Sequence, residues 1–153
     1  MIRVACYVRE VDKGLELVQM FHDLGYETSL NIMALSNVPE RQLIEAFEMV
    51  KESPVDVVYI VDSFGSLDPG DIEHQVKKFQ AMLPNKQLGI HTHNNMQLAF
   101  ANTITAMRNG VTFLDSSVYG MGRAAGNCNT ELLVSYIQKA RYEIKPVLGI
   151  IEK

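Results

Sequence analysis

Val57-Val58-Tyr59-Ile60-Val61 is an unbroken apolar run, β-branched at every position but Tyr59, and it ends in Asp62-Ser63-Phe64-Gly65 with Pro69 shortly after. Such a run has no polar side to turn to water, so it reads as a strand of a parallel sheet. Behind it, Ile72, Val76, Phe79 and Leu83 recur at the spacing of one helix face. The same pair of signals appears five times. Apolar runs fall at 2–8, 28–34, 55–62, 88–93 and 113–119, each followed by a longer helical pattern. The first helix face is marked by Leu17, Val18, Phe21 and Leu24, and the second by Leu43, Ile44, Phe47 and Val50. The segment 97–109 is less cleanly amphipathic, and the last helix carries Leu132, Leu133, Tyr136 and Ile137. Gly25 and Gly110 suit helix ends, Pro39 and Pro69 helix starts, and Asn37, Asp68 and Asn129 N-caps. The expectation is an α/β chain of about five parallel β-α units, its sheet covered on both faces. Two architectures satisfy it: a complete doubly wound sheet of roughly 150 residues, which length alone favours, or part of a (β/α)8 barrel, which needs roughly 250. No linker or low-complexity stretch divides the chain, which reads as one domain or one piece of a domain.

Composition narrows the class of partner. The 153 residues are 47% apolar and 21% charged, without tryptophan, the balance of a soluble globular unit. A net charge of −4 and a pI near 5.5 supply no basic field, which argues against nucleic acid and anionic membranes and for a small-molecule ligand. No apolar run approaches the roughly 18–20 residues of a membrane span, and Met1 to Cys6 lacks a signal-peptide layout, so a cytoplasmic protein is expected. Cys6 and Cys128 have no paired spacing and are expected to be reduced and buried.

Parallel sheets bind ligands at the carboxyl ends of their strands, and polar residues gather at three such ends. His91-Thr92-His93 closes the fourth run, and residues two apart on a strand share a face, so the two imidazoles form a candidate chelate for a divalent ion. The competing reading has one histidine packed in the core and the other in water. Asn127 ends the turn Gly120-Met121-Gly122-Arg123-Ala124-Ala125-Gly126 and is a candidate oxygen donor or an ordinary turn residue. The glycine spacing does not fit a dinucleotide fingerprint, and no cofactor of that kind is expected. Asp62 is a candidate for orienting a ligand or binding substrate, or else a loop carboxylate. Arg123 either pairs with a substrate carboxylate or faces solvent. Asp115, beside Ser116 and Ser117, ranks below these. His22 and His74 lie in helical segments and are expected to face solvent, and Cys6 has no neighbouring base to make it a nucleophile.

Taken in order and spacing, Asp62-Ser63-Phe64-Gly65 with Pro69, His91-Thr92-His93 and the Gly120-to-Asn127 turn resemble the metal-dependent lyase and aldolase TIM-barrel family, the hydroxymethylglutaryl-CoA lyase-like proteins. The Gly-Met-Gly-x-x-x-Gly-Asn turn and the Asn94-Asn95 after the histidines look most like its 4-hydroxy-2-oxovalerate aldolase branch. The resemblance implies a partial (β/α)8 TIM barrel in which residues 1–153 form the carboxyl-terminal portion of a catalytic domain. It implies His91, His93 and Asn127 as metal ligands, with Mn ahead of Mg, Co or Zn, and Asp62 and Arg123 as supporting catalytic residues. The implied reaction breaks or makes a carbon–carbon bond in a 2-oxo or hydroxy acid such as a pyruvate adduct, through a metal-stabilised enolate. A homo-oligomer and an aldehyde dehydrogenase partner are implied by the same analogy. Two departures accompany it: no Cys lies between Asn94 and Asn127, as the lyase branch has, and no strand carries the family's first-strand Arg-Asp pair. An incomplete site is therefore expected, and the alternative is a noncatalytic half-barrel that self-associates or pairs with another chain.

Overall fold

The computed structural model describes residues 1–34, 38–137 and 143–151. In chain order it runs β1 (Ile2–Tyr7), α1 (Val11–Asp23), β2 (Thr28–Met33), α2 (Glu40–Glu52), β3 (Val57–Asp62), α3 (Pro69–Met82), β4 (Gln87–Thr92), α4 (Ala99–Arg108), β5 (Phe113–Leu114), α5 (Thr130–Ile137) and α6 (Lys145–Ile151). The punctuation acts largely as expected. Asp68 caps α3 in a reciprocal capping box with Asp71, and Pro69 occupies its first turn. Pro39 sits at the N-cap of α2, while Asn37 lies outside the described residues.

All neighbouring strands are parallel, in the order β1-β2-β3-β4-β5. A doubly wound sheet reverses direction somewhere in its order; this one never does. Right-handed crossovers that always step the same way put every helix on the same side, which is the winding of a (β/α)8 barrel. The expectation of helices on both faces is therefore corrected. Val4, Cys6, Leu30, Ile32, Val58, Ile60, Leu88 and Ile90 point outward into one core with Val18, Phe47, Val50, Ile72, Val76 and Phe79 of the helices. Phe47 and Phe79 meet edge to face at its centre, 4.6 Å between ring centroids. The opposite face holds only a small apolar cluster of Val57, Tyr59, Val61 and Phe113.

That second face is concave. Four strand spacings of about 4.8 Å would set β1 about 19 Å from β5 in a flat sheet, farther than an arginine and an aspartate can span. Yet the Arg3 guanidinium makes a two-pronged ion pair with Asp115, one residue past β5, with Nη2 to Oδ1 at 3.0 Å. The sheet must curl into an arc for this contact to form. Within the arc Arg3 lies over the Tyr59 ring, 4.1 Å from its centroid. The Tyr59 ring occupies the space over Gly89, where an added Cβ would stand 2.5 Å from a ring carbon.

Two expected elements shift. In α1 only Val18 of the expected face is fully buried, while Leu17 and Leu24 are exposed. The buried side is Val11, Gly14 and Val18, because the Cys6 thiol fills the space where a Gly14 side chain would stand. The fifth strand is two residues long, and the chain then leaves the ladder: Ser117 bridges to Asn129. Among the described residues no helix is long and apolar enough to cross a membrane.

Phe47 is fully buried. Phe47→Ala is expected to cost about 3–5 kcal/mol, read as a lower midpoint in urea with an unchanged slope.

Candidate metal centre

His91 lies on β4 and His93 one residue past its end, both on the concave side of the pleat. Their rings stand 5.1 Å apart, centroid to centroid, at 81°. His91 Nδ1 is 3.0 Å from Asp115 Oδ2. Since an ionised carboxylate only accepts, Nδ1 is the donor of this contact, and in the neutral ring Nε2 is then the lone-pair nitrogen. Burial pushes the Asp115 carboxyl up, but the hydrogen bonds from His91 and Arg3, with the charge of Arg3, outweigh it and hold the group below the usual carboxylate range. Arg3 is correspondingly raised, chiefly by its hydrogen bond to Asp115. Burial, then the nearby His91 and Arg123, push His93 below the ordinary histidine value, so its ring is neutral at neutral pH.

Asn127 is brought to His93 by backbone pairing. The two residues form an isolated antiparallel bridge, and Asn94 N–H donates to the Gly126 carbonyl at 2.9 Å. Gly126 turns the chain at φ +86°, and a side chain there would collide with the Gly120 carbonyl. Gly122 packs directly against the Asn127 amide, leaving no room for a Cβ. Asn127 Nδ2 donates to the Met121 carbonyl at 3.1 Å and the Ser117 hydroxyl at 3.3 Å. Its Oδ1 is buried and has no hydrogen-bond partner. The side-chain oxygens of Ser29, Asn31, Gln75 and Asn102 are likewise buried and unpaired; an unpaired buried amide oxygen costs about 1–3 kcal/mol, and of these five only that of Asn127 belongs to a residue that bridges to His93.

The two other expected residues meet at the neighbouring 63–67 loop, Asp62 from the end of β3 and Arg123 from the glycine-rich turn. Asp62 is buried, and its carboxylate accepts from the Ser66 amide at 3.1 Å and the Leu67 amide at 3.4 Å. Burial raises its pKa against the pull of these amides. Its geometry is that of a carboxylate shaping the 63–67 loop. The Asp62 carbonyl also receives the His93 amide at 3.4 Å, which joins this loop to the histidine strand. Arg123 Nη2 donates to the Ser63 carbonyl at 3.2 Å, so the glycine-rich turn folds its cation onto the same loop.

His22 and His74 are exposed, as expected. Sequence reading underrated Asp115 and passed over Arg3 and Glu131. Glu131 accepts from the Tyr119 amide at 3.0 Å and from Asn129 at 2.9 Å, which fastens the turn to α5. Its place at the start of a helix after a glycine-rich turn was the available signal. Among the described residues no three His, Cys, Asp or Glu side chains converge on one point. The available donors are two imidazoles and one amide oxygen, none of them anionic.

A singly wound parallel β/α sheet with imidazoles, an amide and an arginine gathered at its carboxyl strand ends has the layout of the (β/α) barrel class. The HMGL-like family model matches residues 6–150, and the chain belongs to that family. It is 34% identical over 142 residues to the 4-hydroxy-2-oxovalerate aldolase of Carboxydothermus hydrogenoformans, covering 93% of this chain and 42% of that protein. The N-terminal domain of a protein described as an aldolase from Bacteroides vulgatus superposes with a TM-score of 0.79 at 32% identity, over 99% of this chain and 51% of that one. The HMG-CoA lyase of Bacillus subtilis gives 0.80 at 21% identity, over 96% and 59%, a likeness of fold. The chain thus spans about two fifths of the length of the curated aldolase it matches.

Both cysteines are free and buried. Burial, aided by Glu10 and Asp12, pushes the Cys6 thiol up to about 11. At pH 8 its alkylation by iodoacetamide is expected to be at least roughly 100-fold slower than that of a free thiol, rising toward pH 11 or on unfolding; comparable rates at pH 8 would refute this.

Proposed function

We propose that the ends of β3, β4 and β5 contribute part of a divalent-metal centre in an aldolase that cleaves or forms a carbon–carbon bond of a 2-oxo or hydroxy acid. The observation that carries this reading is the buried, unpartnered Oδ1 of Asn127, on the residue that pairs with His93. His91 through Nε2, His93 through its neutral ring and Asn127 through Oδ1 would hold the ion. When bound, the ion would supply Lewis-acid stabilisation of an enolate oxygen, with Mn the first candidate among hard or borderline cations. Arg123 would receive a substrate carboxylate, its guanidinium steadied by the Ser63 carbonyl. Asp62 would support it at one remove, holding the loop that presents that carbonyl.

The donor set fits such an ion but is neutral, and a divalent cation ordinarily takes at least one carboxylate. On this reading the chain is the carboxyl-terminal portion of a barrel domain, and the missing carboxylate belongs to the strands that would complete it. The setting is a reducing cytoplasm, where the two buried cysteines stay as thiols.

Calorimetric titration of Mn2+ into the metal-stripped chain tests the assignment. Measurable binding is expected that disappears in both His91→Ala and His93→Ala and weakens in Asn127→Ala. Binding indifferent to all three would put the ion elsewhere.

A second reading, a noncatalytic half-barrel that pairs through its edges, draws on the unpaired outer edges of β1 and β5 in the described sheet. Gel filtration separates the two: a concentration-independent dimer that binds no Mn2+ would favour pairing, and a monomer that binds it would favour the metal site.

A further inference from the structure

We propose that Asp115 is the positioning residue for His91, fixing which ring nitrogen is free, and that Arg3 steadies that carboxylate from the far end of the sheet. The inference deepens the proposed metal reading and rests on it for its purpose, though not for its geometry.

His91 has two nitrogens and one proton to place. Asp115 Oδ2 stands 3.0 Å from Nδ1, and the two-pronged contact with Arg3 is the geometry of an ionised carboxylate meeting a guanidinium fork. An ionised carboxylate has no proton to give, so Nδ1 must be the donor and Nε2 the lone-pair nitrogen. Arg3 has a further effect. It is a donor at every polar atom, so whatever acceptor stands at position 115 must show it an oxygen.

Arg3 is itself held in place. Its guanidinium rests on the Tyr59 ring, and that ring lies where Gly89, two residues before His91 on the same face, has no side chain. The floor of the concave face thus leads from β4 through β3 and β1 to the residue past β5, and back to His91.

Asp115→Asn gives a sharp test because it keeps shape and volume. Arg3 would claim the amide oxygen, which turns the amide NH2 toward Nδ1 and forces the His91 proton onto Nε2, the wrong nitrogen for a ligand; a comparable substitution beside a catalytic histidine acts through such a tautomer inversion. Long-range 1H–15N correlation spectra of the metal-free chain at neutral pH report the tautomer directly. The chain has four histidines, and His91→Ala identifies the signal. The native chain is expected to show a protonated Nδ1 at His91. Asp115→Asn should show a protonated Nε2, with Mn2+ affinity lowered about 10- to 100-fold. Arg3→Gln, which leaves Asp115 in place, should keep the native tautomer and lose less affinity.

A native chain with the proton on Nε2, or an Asp115→Asn chain that retains it on Nδ1, would overturn the proposal. If Asp115→Asn failed to fold, the native and Arg3→Gln spectra would still decide it, since both must show protonated Nδ1. A native chain with the expected tautomer, inverted in Asp115→Asn, that binds no Mn2+ would uphold the positioning role and sink the reading that His91, His93 and Asn127 hold the ion on their own.

Discussion

Every crossover in this chain steps to the next strand in the same direction, and that constraint determines what each face of the sheet must do. Helices accumulate on one side, where the Phe47–Phe79 contact and the outward residues of β1 to β4 bury a single apolar core. The other side receives no helix, so its residues must find partners among themselves. They do so by curling, which brings Arg3 to Asp115 across three intervening strands. A flat doubly wound sheet could not make this contact, which steadies the carboxylate that stands beside His91 Nδ1.

Two different devices deliver the donors at the strand ends. The histidines are placed by β-pleat geometry alone, which needs only the spacing His91-Thr92-His93 on an ordinary strand. Asn127 is placed by an irregular turn, which depends on glycines that admit close backbone approach and on Glu131 holding the turn to α5. The pleat is insensitive to most substitutions at a distance. The turn is sensitive to single methyl groups at Gly122 and Gly126, where any side chain would displace the amide or the carbonyl packed against it.

The legibility of these parts in the sequence follows the range of the interactions that make them. The five β-α units, the Asp68 capping box and the shared face of the two histidines are local, set by residues within one turn or one pleat, and they could be read directly. The helix face of α1 was misread because its contact is made by a glycine: Gly14 is buried for want of a side chain, against Cys6, and hydrophobic periodicity has no symbol for that. Asp115 was underrated because its partners are at positions 91 and 3, separations of 24 and 112 residues. Arg3 near the start of a strand looks like a solvent-facing charge until the sheet is known to curl. The amide partners of Asp62 were hidden for a related reason, since only the loop's fold shows its oxygens taken by the backbone.

Charge balance joins the fold to the proposed chemistry. Two neutral imidazoles and an amide oxygen bring no negative charge to an ion. The Asp115 carboxylate contacts His91 and is already offset by Arg3, and the Asp62 carboxylate, close enough to raise His93, is bound by backbone amides. Arg123 adds a positive charge close enough to depress His93. A divalent cation at these donors would gain ligand bonds but little attraction, since a double and a single positive charge at about 6 Å repel by roughly 5–6 kcal/mol even at an effective dielectric constant of 20. Tight retention therefore needs a carboxylate that the described residues do not supply. The outer edges of β1 and β5 in the described sheet also leave backbone donors and acceptors that further strands would satisfy. The same added strands would answer both needs, which is why the proposed metal site and the proposed completion of the barrel stand as one structural problem.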